Sequence, residues 1–111
     1  MILMKKIFIV FGHHNISGSF NSEIRDNFID EAKKNGHSID LVNLFNEKEQ
    51  LPFYNSNFNP PPKIVLEYRD RLEKSDIMFL IGSCNNLRLN SILENWVDWV
   101  LHPKWFFSYR S

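Results

Sequence analysis

Gly12-His13-His14-Asn15-Ile16-Ser17-Gly18-Ser19 is the stretch whose residue types and spacing could do chemistry. It follows a solid apolar block, Ile7–Phe11, and leads into a helix-forming stretch at Phe20-Asn21. Small polar residues between a buried strand and a helix deliver hydroxyls and free backbone N–H groups to the helix's first turn, a seat for an anion such as phosphate. The turn has neither the G-x-G-x-x-G spacing nor the Gly-Lys-Ser/Thr ending of a Walker loop, so a dinucleotide fold and a P-loop nucleotidase both lose support. The same serines also suit an ordinary strand-to-helix turn in which they cap the helix.

A second polar run, Ser83-Cys84-Asn85-Asn86-Leu87-Arg88-Leu89-Asn90, follows another apolar block, Ile77–Ile81. Cys84 is the only cysteine. It excludes an intramolecular disulfide framework and fits a reducing cytoplasm. With no base paired to it in sequence, it reads as a small, partly buried residue rather than a nucleophile. His13 and His14 are adjacent, so they do not point at a common ion, and no second cluster completes a metal site. No metal is expected, and no catalytic side chain is assigned.

The elements that must hold these runs are legible from periodicity. Ile7–Phe11 and Ile77–Ile81 read as strands buried on both faces. Phe20, Ile24, Phe28 and Ala32, with Ile29 beside them, form one apolar stripe of a helix capped by Ser19 and ended by Asn35-Gly36. Glu23, Arg25, Asp26, Glu31, Lys33 and Lys34 are left to face water. His37–Phe45 reads as a weaker, edge-type strand. Residues 46–62 form a long connection packed down by Leu51, Phe53, Tyr54 and Phe58, or else a cover for a ligand. A second helix carries Ile64, Val65, Tyr68 and Leu72, and a third places Ile92, Trp96 and Trp99 or Val100 on one face. The aromatic tail through Trp105, Phe106, Phe107 and Tyr109 fits core and a subunit interface.

The 111 residues make one domain, 1–111, and the 43% hydrophobic and 14% aromatic content fits a globular chain. Zero net charge with scattered Lys and Arg leaves no footprint for nucleic acid or an anionic membrane. No stretch approaches the ~20 apolar residues of a membrane span, so a cytoplasmic protein is expected. The order β-α-β-loop-α-β-α argues for a parallel sheet with helices on both faces. In the strand order 2-1-3-4-5 the ligand crevice lies outside the carboxyl ends of strands 1 and 3, where both polar runs fall.

His14-Asn15-Ile16-Ser17-Gly18-Ser19-Phe20-Asn21 resembles the His-x-x-x-x-Ser-Phe-Asn flavin-phosphate turn of the NAD(P)H:quinone oxidoreductases with the flavodoxin-like fold. Gly36-His37, Asn43-Leu44-Phe45, the Glu67-Tyr68 to Ser75-Asp76 segment, Ile92–Val100 and Phe107-Ser108-Tyr109 are similar, in order, to that family's later motifs. The resemblance implies a three-layer α/β/α flavodoxin-like fold that stops after its third βα unit. It implies FMN or FAD as cofactor, NAD(P)H as co-substrate and a quinone or similar acceptor. His14, Ser19, Phe20 and Asn21 would hold the flavin phosphate and ribityl chain, with Ser83, Cys84, Asn85 and Asn86 along the ring. The chain departs from the family in having Ser83–Asn86 for Pro-x-x-Trp and Asn90-Ser91 for Pro-Ala. The other function class is a non-catalytic flavodoxin-like module for binding or oligomerisation. A third strand left at the edge is expected to pull in another chain, a second copy or a partner covering 77–81.

Overall fold

The protein is described here from a computed structural model that covers residues 4–15, 17–55, 57, 60–85 and 88–102, with 84, 85, 88 and 89 as backbone alone. The strand β1 (Lys6–Gly12) is followed by helix α1 (Phe20–Lys34), strand β2 (Ser38–Asn43) and a 3-10 turn (Leu44–Asn46). Helix α2 (Lys63–Glu73), strand β3 (Ile77–Gly82), the short strands β4 (Cys84–Asn85) and β5 (Arg88–Leu89), and helix α3 (Ser91–Val100) complete it.

β1 is the central strand, and every residue from Ile7 to Gly12 is buried. β2 and β3 flank it, both parallel to it, in the order β2-β1-β3. Helices joining parallel strands must cross over the sheet, which puts α1 on one face and α2 with α3 on the other. The core splits accordingly. Phe8 and Val10 pack with Val42, Val65, Tyr68, Leu72, Leu93, Trp96, Trp99 and Val100. Ile7 and Ile9 pack on the opposite face with Ala32, and Phe28, Ile29 and Ile81 lie against them.

The α1 stripe is rotated from the one the apolar residues spell out. Ser22, Arg25 and Ala32 are buried, with Ile29 half-buried between them, while Phe20 is 77% and Ile24 43% exposed. Phe20 and Ile24 therefore do not line the core, and Arg25 does not face water. The buried line runs at three- and four-residue spacing through two polar side chains that find partners inside. Lys33 and Lys34 at the helix C-terminus are exposed as expected, and Gly36, at φ +86°, takes the left-handed turn that stops the helix.

Three other expectations shift. The second strand is shorter than His37–Phe45, because Leu44–Asn46 curls into the 3-10 turn. In the connection after it, Leu51 and Tyr54 pack on the core as expected, but Phe53 is 89% exposed. α3 pins this connection: Asn95 Nδ2 and Trp99 Nε1 donate to the Pro52 carbonyl at 3.0 and 2.8 Å, and Tyr54 N–H donates to Asn95 Oδ1 at 2.8 Å. The polar run after β3 is not a plain loop, since β4 and β5 pair antiparallel within it. The tail aromatics at 105–109 lie outside the described residues.

On α3 the buried residue of the first turn is Leu93, with Ile92 half-buried. Gly12 and Gly82 sit side by side at the carboxyl ends of β1 and β3, and Leu93 occupies the notch they leave. A Cβ on Gly12 would stand 2.6 Å from Leu93 Cγ, and one on Gly82 would meet Leu93 Cδ1. Gly82→Ala is expected to lose about 1–3 kcal/mol of stability through overpacking. A urea melt in which G82A matches the parent would show that α3 yields freely.

Candidate functional site

Because β1 and β3 are parallel neighbours, their two following loops emerge side by side at one end of the sheet. This is the juxtaposition the strand order required. The first loop ends at Ser19, the N-cap of α1, at φ −104° and ψ 162°. Ser19 Oγ accepts the Ser22 N–H at 3.1 Å and donates to the Asn15 carbonyl at 3.1 Å. In return Ser19 N–H donates to Ser22 Oγ at 2.9 Å. This reciprocal capping uses up the Ser19 hydroxyl. The N–H groups of Phe20 and Asn21, in the first helical turn, have no partner among the described residues. They stand at the positive end of the helix dipole.

His14 is exposed and stacks on His13 with ring centroids 4.6 Å apart, its edge toward Phe45 at 6.5 Å. His13 Nδ1 in turn accepts the Asn15 N–H at 3.0 Å. The Phe20 ring is exposed and Asn21 half-buried. Ser83 is half-buried, and its carbonyl accepts the Asn90 N–H at 3.1 Å. The backbone of Cys84 and Asn85 is fixed by pairing with Leu89 and Arg88. Asn86 lies outside the described residues. Among the described residues no group of His, Cys, Asp and Glu could hold a metal ion.

Two residues at this end of the sheet take roles that the sequence reading did not give them. Arg25, 6% exposed, lays its guanidinium over the Phe11 ring at 4.4 Å. It also donates to Asn43 Oδ1 at 3.1 Å and to Asp26 Oδ1 at 2.9 Å. Paired with Asp26, it ties α1 to the ends of β1 and β2 through Phe11 and Asn43. The signal that could have found it is the Ser22–Arg25–Ile29–Ala32 spacing, which is helical once polar residues are allowed in the stripe.

Asn90 is the second. It occupies the N-cap position of α3, but its side chain makes no capping bond. Instead its Nδ2 donates to the carbonyl of Gly12, the last residue of β1. With its own N–H on Ser83, Asn90 ties the end of β1 to the loop after β3. Its Oδ1 is buried without a partner among the described residues. No spacing rule in the sequence points to this latch.

A parallel sheet in the order β2-β1-β3, with the loops after β1 and β3 side by side at one end, is the α/β architecture in which a crevice opens outside the carboxyl ends of the strands. A family model described as "Flavodoxin-like fold" matches residues 5–111, and the chain belongs to that family. An FMN-dependent NADH:quinone oxidoreductase of Mycoplasma mobile is 28% identical in an alignment of 99 residues that covers 85% of this chain and 48% of that protein. Two solved structures share the fold. One is an NAD(P)H:quinone oxidoreductase from Methanothermobacter marburgensis, with TM-score 0.77, 20% identity, 88% of this chain and 53% of that one covered. The other is Smu.1420 from Streptococcus mutans, with TM-score 0.71, 26% identity, 86% and 53% covered. The chain spans about half the length of the relatives it matches. Among the described residues no helix is long and apolar enough to cross a membrane.

Proposed function

We propose that this chain binds FMN at the turn between β1 and α1 and serves in NADH-dependent reduction of a quinone or similar acceptor. The observation that carries the reading is the start of α1, where the Phe20 and Asn21 N–H groups stand open beside the end of β1. A phosphate dianion is the ligand such a helix start accepts most readily. The unpartnered Asn90 Oδ1 adds a buried acceptor between the two loops, so the residues present fit a phosphate-bearing ligand with ring N–H groups.

When bound, FMN would supply two-electron chemistry between a nicotinamide and an acceptor, with the protein contributing position and electrostatics. Phe20 and Asn21 bind the phosphate through their backbone, while Ser19 holds the turn in shape through Asn15 and Ser22. His14 flanks the turn on the Phe45 side. Ser83, Cys84 and Asn85 would line the ring through backbone groups, as the family resemblance implies, and Asn86, the fourth residue of that run, lies outside the described residues. Arg25, paired with Asp26, holds α1 against Phe11 and Asn43 and so fixes where the helix starts. Domain 1–111 acts as one unit in this reading, in the cytoplasm, and FMN is favoured over FAD by the relative from Mycoplasma mobile.

The test is absorbance of the purified protein between about 350 and 500 nm, followed by titration with FMN and with riboflavin. Flavin bands are expected, with FMN bound at least about tenfold more tightly than riboflavin because only FMN carries the phosphate. Ser19→Ala is expected to weaken FMN by about fivefold, the equivalent of one lost N-cap. Absence of bands and of binding would leave a flavodoxin-like binding module and overturn the enzyme reading.

A further inference from the structure

A separate cleft opens on the sheet face opposite α1, between the 3-10 turn, the connection after it, α2 and α3. Leu44, Leu51 and Ile92 give it apolar walls, while Glu47, Glu49 and Tyr68 bring oxygens to it. It borders the β2 end of the sheet, where Leu44 follows the strand. A strand added in the order 2-1-3-4-5 joins at β3, across the sheet from this edge. The walls are tied in place by hydrogen bonds. Gln50 Nε2 donates to the Leu44 and Glu47 carbonyls at 3.0 and 2.7 Å, which uses its protons and leaves Oε1 as a spare acceptor. Asn95 holds the connection through Pro52 and Tyr54.

Tyr68 is the group that packing alone does not explain. It is 2% exposed, yet its hydroxyl has no hydrogen-bond partner among the described residues, and what remains open of it faces this cleft. A buried hydroxyl normally finds a partner, because leaving one unpaired costs stability. Two carboxylates stand at the same cleft. Neither Glu47 nor Glu49 has an ion pair among the described residues, and Lys48 between them is exposed. Burial first, then Glu47 and after it Glu49, push the phenol up to about 12, so both charges are felt at its oxygen. The Arg71 guanidinium, 5.7 Å from the Tyr68 ring, is already held by the Asp40 carboxylate.

We propose that this cleft binds a primary alkylammonium ion, its N–H groups shared among Glu47, Glu49 and the Tyr68 hydroxyl oxygen. An ammonium head carries three donors and no acceptor, which matches oxygens that have no other partner. Gln50 Oε1 is a further acceptor in the same wall. The short carbon stem of the ligand lies against Leu44, Leu51 and Ile92. A hard metal ion asks instead for about six or more oxygens, and among the described residues no group of His, Cys, Asp and Glu could hold one. The free volume of about 280 Å³, mouth included, suits a ligand of a few heavy atoms rather than a flavin. Glu47 is half-buried and Glu49 exposed, so water competes for both, and Kd is of about millimolar order. The inference does not rest on the flavin reading, whose turn follows β1 rather than β2.

Proton–nitrogen correlation NMR of the full chain, titrated with n-butylammonium chloride at constant ionic strength, tests it. The Gln50 and Asn95 side-chain amides and the Leu51 backbone amide should shift together and saturate. Tetramethylammonium and Mg²⁺, which have no N–H to donate, should not saturate them. Glu47→Gln is expected to raise Kd at least about fivefold. Tyr68→Phe should raise it about threefold or more while the urea midpoint holds or rises, because the hydroxyl has no partner to lose. Nα-acetyl-lysine amide as a second probe separates the sources of such a head. Tighter binding than n-butylammonium assigns a protein lysine side chain, and weaker binding a free amine, both supporting the site. No saturable shift with either probe overturns the proposal. So does Mg²⁺ moving the same amides to saturation, or an E47Q or Y68F variant that binds as the parent does.

Discussion

Trp96→Ala is expected to lose about 3–5 kcal/mol of folding stability. Trp96 is fully buried between the sheet and α2, with its ring 6.0 Å from Phe8 and 5.9 Å from Tyr68. Truncation removes both ring contacts and leaves a cavity that strand and helix close only in part. Domains of this size have about 5–15 kcal/mol to lose, so the variant should unfold at much lower urea. The indole Nε1 has no hydrogen-bond partner among the described residues. Trp96→Phe therefore breaks no bond and should lose much less than the alanine variant. Equal losses in a urea titration would mean that the indole N–H has a partner that holds the core. Tyr68, its neighbour, has its phenol pushed up to about 12, chiefly by burial and then by Glu47, so the ring enters the core uncharged.

Asn90→Asp is expected to be the next most damaging change. The isosteric carboxylate cannot donate to the Gly12 carbonyl, and it brings a charge to an atom position shielded from water. An unmade buried bond accounts for about 1–3 kcal/mol, and the desolvated carboxylate adds to it. Both effects raise the carboxyl pKa of the folded variant above its unfolded value. The folded state then binds the extra proton more tightly, so the variant gains stability as pH falls through that raised pKa, and the deficit is full above it. Once protonated, the carboxyl again has an O–H to donate to Gly12. Urea melts of N90D and of the parent from pH 8 to 5 read this as a gap that narrows toward acid. A gap independent of pH would show that the latch to Gly12 contributes nothing. In the flavin reading the same variant should loosen the loop after β3 against the turn after β1, which FMN titration at the two pH values would register.

These two residues divide what sequence legibility reaches. Trp96 was readable as core because it recurs with Trp99 and Val100 at helical spacing, and an amphipathic helix must bury that face. The same logic located β1, β3, α2 and the Ser19 cap, since continuous apolar runs, period and capping chemistry act within a few residues. The parallel order followed from alternation, because a helix between strands forces a crossover. The turn at 12–21 and the run at 83–90 were predicted to meet, and the pairing of Gly12 with Gly82 brings them together.

What the tertiary structure decided lies where two distant segments share one partner. Arg25 was assigned to water because a charged residue in a helix pattern defaults to the surface. It is buried because the Phe11 ring and the Asn43 amide, at the ends of two strands, offer its guanidinium a face and an acceptor. Phe20 and Ile24 were assigned to the core because they are apolar. They are exposed because α1 rotates to bury Ser22 and Arg25 instead, and nothing among the described residues covers its other side. The notch for Leu93 and the hydrogen bond from Asn90 to Gly12 depend on two strand ends lying one sheet spacing apart, a distance no local pattern encodes. The sequence alone thus determined the main strands and helices, their parallel order and the Ser19 cap, because those depend on local periodicity and chain connectivity. The rotation of α1, the burial of Arg25 and the closure between the two loops were decided only by the packed fold, because each depends on partners tens of residues away.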